Sequence, residues 1–249
     1  MRNHQGSCSL IMNPIYLFIT ILIALILIIT FGIIFFQYGI KKGAANLLSL
    51  FMKSAYEHKV KSFASLNKNC FPGGIVFIGD SITQDYNVYE YFPKENVYNR
   101  GIGGDTSLGL LGRLQESVFD LAPKVVFILI GTNDFALLET SIEEISLRIK
   151  EIIRLIHIRL PHTQIYVQSV YPVNPNLDSF SVGSRNNRNI KKLNASLKNI
   201  ENCTFIDLYS SLLDEEGNLN PLYTVEGLHI NAKGYEKITE ILKEYLIKG

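Results

Sequence analysis

A serine close to the first strongly apolar stretch after residue 40 has a setting suited to chemistry. Ser81 follows the run 75–78, which is typical of a short buried strand, and Gly79 and Asp80 break that run. A turn at this point places Ser81 at the carboxyl edge of a sheet, where open α/β sheets hold their ligands. There its hydroxyl can face a cleft while its backbone N–H binds an anion. An ordinary helix cap is the alternative explanation of the same pattern.

A histidine near the other end of the chain has a carboxylate beside it. Glu226 lies three residues before His229, in a predicted loop that precedes the last helical segment. From that position a carboxylate can hold the imidazole by one ring nitrogen and leave the other nitrogen free. The pair therefore predicts a histidine that is oriented for proton transfer.

Two loops after later apolar runs add groups that could bind an anion. In the loop 99–107, glycines 101, 103 and 104 let the backbone approach a ligand closely, and the following helix start offers free N–H groups. The loop lacks the dinucleotide-binding spacing, since Ser107 stands where the third glycine would fall, and the lysine of a phosphate-binding loop is absent. Asn133, in the loop 131–134, can donate its side-chain amide into the same cleft. A plain glycine-rich turn and an asparagine acting as a turn former are the alternatives.

Four short motifs occur in order along the chain, each after a predicted strand. They are G-D-S-I with Ser81, G-G-D-T with Gly104, G-T-N-D with Asn133 and G-L-H-I-N with His229. In these motifs the chain resembles the SGNH (GDSL-type) hydrolase family, from about Gly73 to the C-terminus.

The resemblance implies a serine esterase mechanism. Ser81 Oγ would attack an ester carbonyl while His229 takes its proton and passes it to the leaving alcohol. The backbone N–H groups of Ser81 and Gly104 and the side-chain amide of Asn133 would bind the oxyanion. Water would then hydrolyse the acyl-enzyme with His229 as the base. No metal and no cofactor is needed.

The third catalytic residue departs from the family pattern. The family usually has an aspartate where this chain has Glu226, whose extra methylene shifts the carboxylate by ~1.5 Å. We predict Glu226 as the acid that orients His229, and a backbone carbonyl in that role is the alternative. The loop carboxylates Asp80, Asp105 and Asp134 are predicted to bond loop backbones around the site.

The segments between the motifs predict a parallel α/β sandwich. Apolar runs predict five strands, and helical spacing predicts the helices that alternate with them. The predicted strands are 75–78, 97–99, 125–130, 165–170 and 204–206, and the predicted helices are 108–121, 141–160, 186–200 and 232–247. This alternation favours a three-layer α/β/α sandwich around a five-stranded parallel, flavodoxin-like sheet of order 2-1-3-4-5.

Charge and cysteine content exclude some classes of protein. All 23 acidic residues and all but one of the 24 basic residues of this 249-residue chain lie beyond residue 40. The soluble part is therefore formally neutral and has no basic cluster, which excludes a nucleic-acid partner. Cys70 and Cys203 border strands that are not neighbours in the predicted order, so we expect free thiols.

The N-terminus predicts a single-pass membrane anchor. Residues 15–36 are nearly all Ile, Leu and Phe, and no charge occurs between Arg2 and Lys41. As a helix this run would rise about 33 Å, which matches the hydrocarbon core of a bilayer. A cleaved signal peptide is the alternative, but its apolar region is normally only ~7–15 residues long. The lysines after the run slightly favour a cytoplasmic catalytic domain, because positive charges flank the inner side of a membrane helix. An N-terminal anchor is also a common way to display an enzyme outside the cytoplasm. Both orientations therefore stay open.

These observations divide the chain into three parts. We predict a tail and transmembrane helix in 1–40, an amphipathic helical connector in 41–72 and the hydrolase domain in 73–249. The connector is predicted to pack on the catalytic domain, and a position at the membrane surface is the alternative.

The expected substrate is a small-molecule, lipid or glycan ester, and the site matches lysophospholipase, acetylhydrolase and O-acetylesterase types alike. The segment 172–188, rich in Asn, Ser and Pro, is the predicted specificity loop. An O-acyltransferase that uses the same serine and a non-catalytic, membrane-tethered binding module are the two alternative functions.

Overall fold

The computed structural model describes residues 14–247 in two compact units, one that ends at Lys53 and one that begins at Ser54. Helix α1 spans Pro14–Leu66 and contains both the predicted membrane segment and most of the predicted connector. Residues 1–13 of the predicted tail and 248–249 of the predicted domain lie outside the described residues. The second unit begins inside the range that the sequence assigned to the connector.

The first unit is an apolar helix whose side chains are exposed. Phe18, Ile28 and Phe36 are each about two-thirds exposed. This part of α1 is long and apolar enough to cross a membrane, and a signal sequence would pass the same test of length and composition.

The second unit contains a five-stranded parallel sheet with the predicted strand order. The strands are β1 (Ile75–Gly79), β2 (Val97–Gly101), β3 (Val125–Leu129), β4 (Gln164–Gln168) and β5 (Thr204–Ile206). Their order is β2-β1-β3-β4-β5, which confirms the flavodoxin-like topology. Ile75 of β1 is in register with Val97 on one side and Val125 on the other. Because all strands run in one direction, their carboxyl ends meet at one edge, where the predicted site loops begin.

Nine helices of the described chain follow α1, and the longer ones have the predicted ends. They are α2 (Ser81–Gln84), α3 (Val88–Tyr91), α4 (Ser107–Leu111), α5 (Leu114–Ser117), α6 (Thr132–Leu137), α7 (Ile142–Arg159), α8 (Ser179–Val182), α9 (Asn187–Leu197) and α10 (Ala232–Ile247). Ser141 caps α7 by accepting a hydrogen bond from Glu144 N, and Asn186 caps α9 in the same way from Asn189 N.

The predicted helix 108–121 is broken into α4, α5 and a 3-10 turn at Phe119–Leu121. The break occurs at Arg113, whose backbone leaves the helical region and whose side chain is fully buried. An unbroken helix would place this guanidinium differently, and its buried hydrogen bonds, described below, outweigh the lost helical ones.

The core lies on both faces of the sheet. All five residues of β1 and of β3 are buried, as expected for central parallel strands that helices cover on both sides. Alternate residues of the strands belong to two separate hydrophobic clusters. In the cluster that contains Phe77, the rings of Phe77, Phe127 and Tyr166 stack in series. The ring centroids of Phe77 and Phe127 are 4.8 Å apart, and those of Phe127 and Tyr166 are 5.1 Å apart. These buried strands fix the positions of the loops at the carboxyl edge.

Candidate active site

The turn after β1 presents the predicted nucleophile. Asp80 caps α2 by accepting a hydrogen bond from Ile82 N at 3.0 Å, so Ser81 is the first residue of that helix and remains half-buried. Gly79 is required by close packing, because a Cβ there would lie 2.2 Å from Leu129 O and 2.3 Å from Thr83 Oγ1. The turn therefore forms tightly against β3 and holds Ser81 at the sheet edge.

The loop before α10 places His229 against Ser81. His229 Nε2 lies 3.1 Å from Ser81 Oγ, and His229 Nδ1 lies 2.5 Å from Glu226 Oε1. Glu226 Oε1 also accepts a hydrogen bond from the backbone N–H of His229 at 3.2 Å. Thr224 fixes the loop, since its hydroxyl donates to His229 O at 2.7 Å and accepts from Gly227 N at 2.8 Å.

The extra methylene of Glu226 is therefore accommodated. The carboxylate lies within hydrogen-bond reach of Nδ1, and Nε2 lies within reach of Ser81 Oγ. The orienting role of Glu226 stays a prediction.

The glycine loop after β2 is connected to the serine turn by hydrogen bonds. Ile102 N donates to Gly79 O at 3.0 Å, and Asp105 N donates to Ile102 O at 3.1 Å. Gly104 lies between them with φ +74°, a left-handed conformation that favours glycine. Among the described residues, its N–H group and that of Ser81 have no recorded hydrogen-bond acceptor.

Asn133 lies in the first turn of α6, directly after β3, and is buried. Its Nδ2 donates to Asp105 O at 2.9 Å, next to Gly104 in the chain. The side-chain amide has a second N–H, for which the described residues show no acceptor. The structure thus gathers Ser81, His229, Glu226, Gly104 and Asn133 on loops of one sheet edge.

Comparison with known proteins identifies the family. Residues 77–237 match the sequence profile of the GDSL-like Lipase/Acylhydrolase family. The chain belongs to this family. It is a carboxylic ester hydrolase, and the SGNH resemblance of its four motifs is confirmed.

Relatives and solved structures agree with this assignment. The chain is 29% identical over 181 residues to platelet-activating factor acetylhydrolase IB subunit alpha2 of Homo sapiens, which covers 70% of this chain and 76% of the relative. A structure from Streptococcus pneumoniae, provisionally named a platelet activating factor, is 30% identical with a TM-score of 0.78, covering 82% of this chain and 98% of that one. A GDSL-like lipase from Bacteroides thetaiotaomicron is 25% identical with a TM-score of 0.67, and the match covers 76% of this chain and 97% of the lipase.

The acidic residues of the G-D-S-I, G-G-D-T and G-T-N-D motifs bond to the surrounding loops or to the buried Arg113. Asp134 accepts hydrogen bonds from Ser107 N at 2.8 Å and Ser107 Oγ at 2.5 Å, which ties the loop after β3 to the loop after β2. Burial raises the pKa of Asp80 to about 7, and its Oδ2 is buried without a partner among the described residues. Burial also raises the pKa of Asp105, against the opposing charge of Arg113.

Arg113 is a buried residue of the site that the sequence analysis missed. It donates from Nε to Asp105 Oδ2 at 2.8 Å, from Nη2 to Gly79 O at 3.0 Å and from Nη1 to Arg100 O at 2.8 Å. Arg113 therefore joins the serine turn to the glycine loop through one side chain. Its place within the predicted helix 108–121 gave no signal of this role in the sequence.

Arg185 is the second residue that the sequence analysis missed. It is buried between α8 and α9, inside the predicted specificity segment, and its Nη2 donates to Asn133 Oδ1 at 2.6 Å. Within residues 14–247, no group of three or more His, Cys, Asp or Glu side chains is arranged to hold a metal ion. Cys70 and Cys203 are free thiols.

Proposed function

We propose that this protein is a membrane-anchored serine esterase that hydrolyses acetyl or short-acyl esters of a lipid or carbohydrate through an acyl-enzyme. The observation that supports it most directly is the continuous chain of hydrogen bonds from Ser81 through His229 to Glu226. Nucleophile, base and orienting acid within hydrogen-bond reach of one another are the signature of an activated serine.

The geometry supports His229 as the base of the first proton transfer. Glu226 accepts from Nδ1–H, which fixes the tautomer and leaves the Nε2 lone pair facing Ser81 Oγ. As Oγ attacks the ester carbonyl, Nε2 takes the hydroxyl proton, and the carboxylate stabilises the resulting imidazolium. The same proton then passes from Nε2 to the leaving alcohol, which produces the acyl-serine.

The charge on the carbonyl oxygen is bound by three donors in this proposal. They are the N–H groups of Ser81 and Gly104 and the second Nδ2–H of Asn133. Donors held in place by a folded scaffold need no reorganisation during the reaction, and the loss of one typically costs ~10²–10³ in kcat. Water activated by His229 then attacks the acyl-serine and releases the free acid.

The substrate class is proposed from the relatives and from the position of the segment 172–188. The relatives named above include a platelet-activating factor acetylhydrolase, whose activity favours an acetyl or other short acyl group. The segment borders the catalytic loop, because Asn174 N donates to Gly227 O at 2.8 Å. Its α8 exposes Phe180 almost fully, so an apolar part of a substrate would find a contact there.

Membrane anchoring is proposed from α1. Its apolar residues from Ile15 to Ile40 are exposed rather than packed in a core, and exposed apolar surface of this extent is stable in lipid. The anchor would hold the enzyme on a membrane that itself contains acyl esters.

The test uses the full-length chain in detergent with p-nitrophenyl acetate, butyrate and octanoate. We expect hydrolysis with a preference for the shorter esters, and release of free acid without any added acceptor, which distinguishes a hydrolase from an acyltransferase. Ser81→Ala should reduce kcat by at least ~10³-fold, while the exposed-serine control Ser65→Ala should match the parent. Activity retained in Ser81→Ala would contradict the proposal.

A further inference from the structure

Arg185 places a guanidinium that donates four hydrogen bonds against the side-chain amide of Asn133. Besides the bond from Nη2 to Asn133 Oδ1, Nε donates to Thr132 O at 3.1 Å. Nη1 donates to Val182 O at 3.0 Å and to Ser181 O at 3.3 Å. One side chain thus connects the loop after β3 to α8.

These contacts determine which way the amide of Asn133 faces. A guanidinium has only donors, so the amide atom that meets it must be the oxygen. Nδ2 is then directed to the opposite side, where it donates to Asp105 O. Without the guanidinium, only the bond from Nδ2 to Asp105 O would oppose a half-turn of the amide. That half-turn would present the amide oxygen to the place where the oxyanion forms, where it would repel the charge.

The positive charge also acts through the amide bond. A hydrogen bond from a charged donor to a carbonyl oxygen is stronger than a neutral one, and it polarises the group that accepts it. The amide of Asn133 therefore becomes a better N–H donor on its other end. Burial lowers the pKa of Arg185, and the nearby carboxylate of Asp80 opposes that shift when it is ionised.

We propose that Arg185 is a positioning residue of the oxyanion hole, which orients and polarises the Asn133 amide so that Nδ2–H faces the developing oxyanion. This inference rests on the proposed function, because it assumes that Asn133 binds the oxyanion. It extends that function by assigning a role to a residue outside the four motifs and by coupling the oxyanion hole to the specificity segment.

A double-mutant cycle separates this role from a merely structural one. With p-nitrophenyl acetate, Arg185→Ala should lower kcat by about 10-fold or more, within the ~10²–10³ that loss of the donor itself costs, and change KM by less than about 3-fold. If Arg185 acts through the amide, the double variant Arg185→Ala/Asn133→Ala should have the kcat of Asn133→Ala alone. Effects that multiply, or an unchanged kcat in Arg185→Ala, would overturn the proposal.

Two further variants guard against misfolding. Arg185→Lys keeps the charge but cannot donate to Thr132 O and Asn133 Oδ1 with one planar group, so we expect an intermediate kcat. Lys192→Ala removes an exposed cation from α9, outside the segment 172–188, and should match the parent in kcat and in thermal unfolding. An Arg185→Lys enzyme with parental kcat would overturn the positioning role.

A readout without turnover distinguishes failure of this inference from failure of the proposed function. The side-chain NH₂ signals of Asn133 in ¹⁵N-edited spectra are assigned by their loss in Asn133→Ala. We expect them to shift in Arg185→Lys and to stay in place in Lys192→Ala. If Ser81→Ala stays active, the proposed function fails, and the NMR comparison then decides Arg185 alone: signals that are unchanged in Arg185→Lys overturn the inference.

Discussion

At the scale of single residues, the site differs from its family pattern at Glu226. The longer carboxylate accepts hydrogen bonds from both Nδ1 and the backbone N–H of His229. The extra methylene therefore lets one oxygen reach both donors. The loop geometry is therefore matched to glutamate, and an aspartate in this position would fall short of at least one of the two donors.

Substitution of Glu226 tests this match. Glu226→Gln should lower kcat by about 10³–10⁴-fold, because an amide disturbs the tautomer of His229. Glu226→Asp should lower kcat by a smaller factor of about 10, with KM for p-nitrophenyl acetate unchanged. Glu216→Gln, an exposed site, serves as the control. Parental kcat in Glu226→Gln would show that His229 is oriented by another group.

Asp80 predicts an unusual dependence of stability on pH. The pKa of its carboxyl is about 7 in the folded protein, against ~3.9 in the unfolded chain. Between these values the folded state alone holds the proton, so the contribution of Asp80 to stability falls as the pH rises through this window and stays low above it.

Asp80→Asn removes this titration and keeps an oxygen that can cap Ile82 N. The free energy of unfolding of Asp80→Asn should rise relative to the parent by roughly 2 kcal/mol between pH 5 and pH 8. Denaturant titrations at the two pH values measure the difference, and the exposed Asp85→Asn should show little change. A difference that is constant with pH would refute the buried, protonated carboxyl.

At the scale of elements, the C-terminal part of α1 belongs to the scaffold of the site. Tyr56 donates its hydroxyl to Gly109 O at 2.8 Å, and Phe63 is buried over the guanidinium of Arg100, 4.9 Å from its ring centroid. The Arg113 guanidinium also lies 5.9 Å from the Phe63 ring. The helix therefore covers the arginine that joins the serine turn to the glycine loop.

Phe63→Ala should consequently destabilise the second unit. Removal of a buried phenylalanine costs about 3–5 kcal/mol, and the loss of cover over two arginines should reduce ester hydrolysis at the same temperature. Phe71→Ala is the matched control, since this ring is 75% exposed. Equal unfolding midpoints for the two variants would show that α1 does not support the catalytic fold.

The sequence predicts features that depend on local patterns, and it does not predict those that depend on contacts between distant residues. The apolar runs and the helical spacing are local signals, and they predicted the sheet order and the long helices. Arg113 and Arg185 gain their roles from partners 34 and 52 residues away, Gly79 and Asn133, so no local spacing indicates them. The break in the predicted helix 108–121 has the same origin, because burial of Arg113 overrides a continuous helical pattern.

At the scale of the whole molecule, one chain carries an esterase domain and a helix that we propose to span a membrane. We expect the full-length protein to remain in the membrane pellet after alkaline carbonate extraction, because a spanning helix of this length is not released by charge or pH. A chain shortened to begin at Lys41 should be found in the supernatant. Release of the full chain, or a mature mass that lacks residues before Lys41, would identify the apolar segment as a cleaved signal instead.

The proposed esterase mechanism requires Ser81 to be an activated nucleophile. The most direct measurement is labelling of the full-length protein with a fluorophosphonate, followed by mass spectrometry of the labelled peptide. We predict one adduct per chain on Ser81, with labelling slowed by at least ~10²-fold in His229→Ala because the general base is lost. No adduct on Ser81, or equal labelling rates in the parent and His229→Ala, would contradict the account.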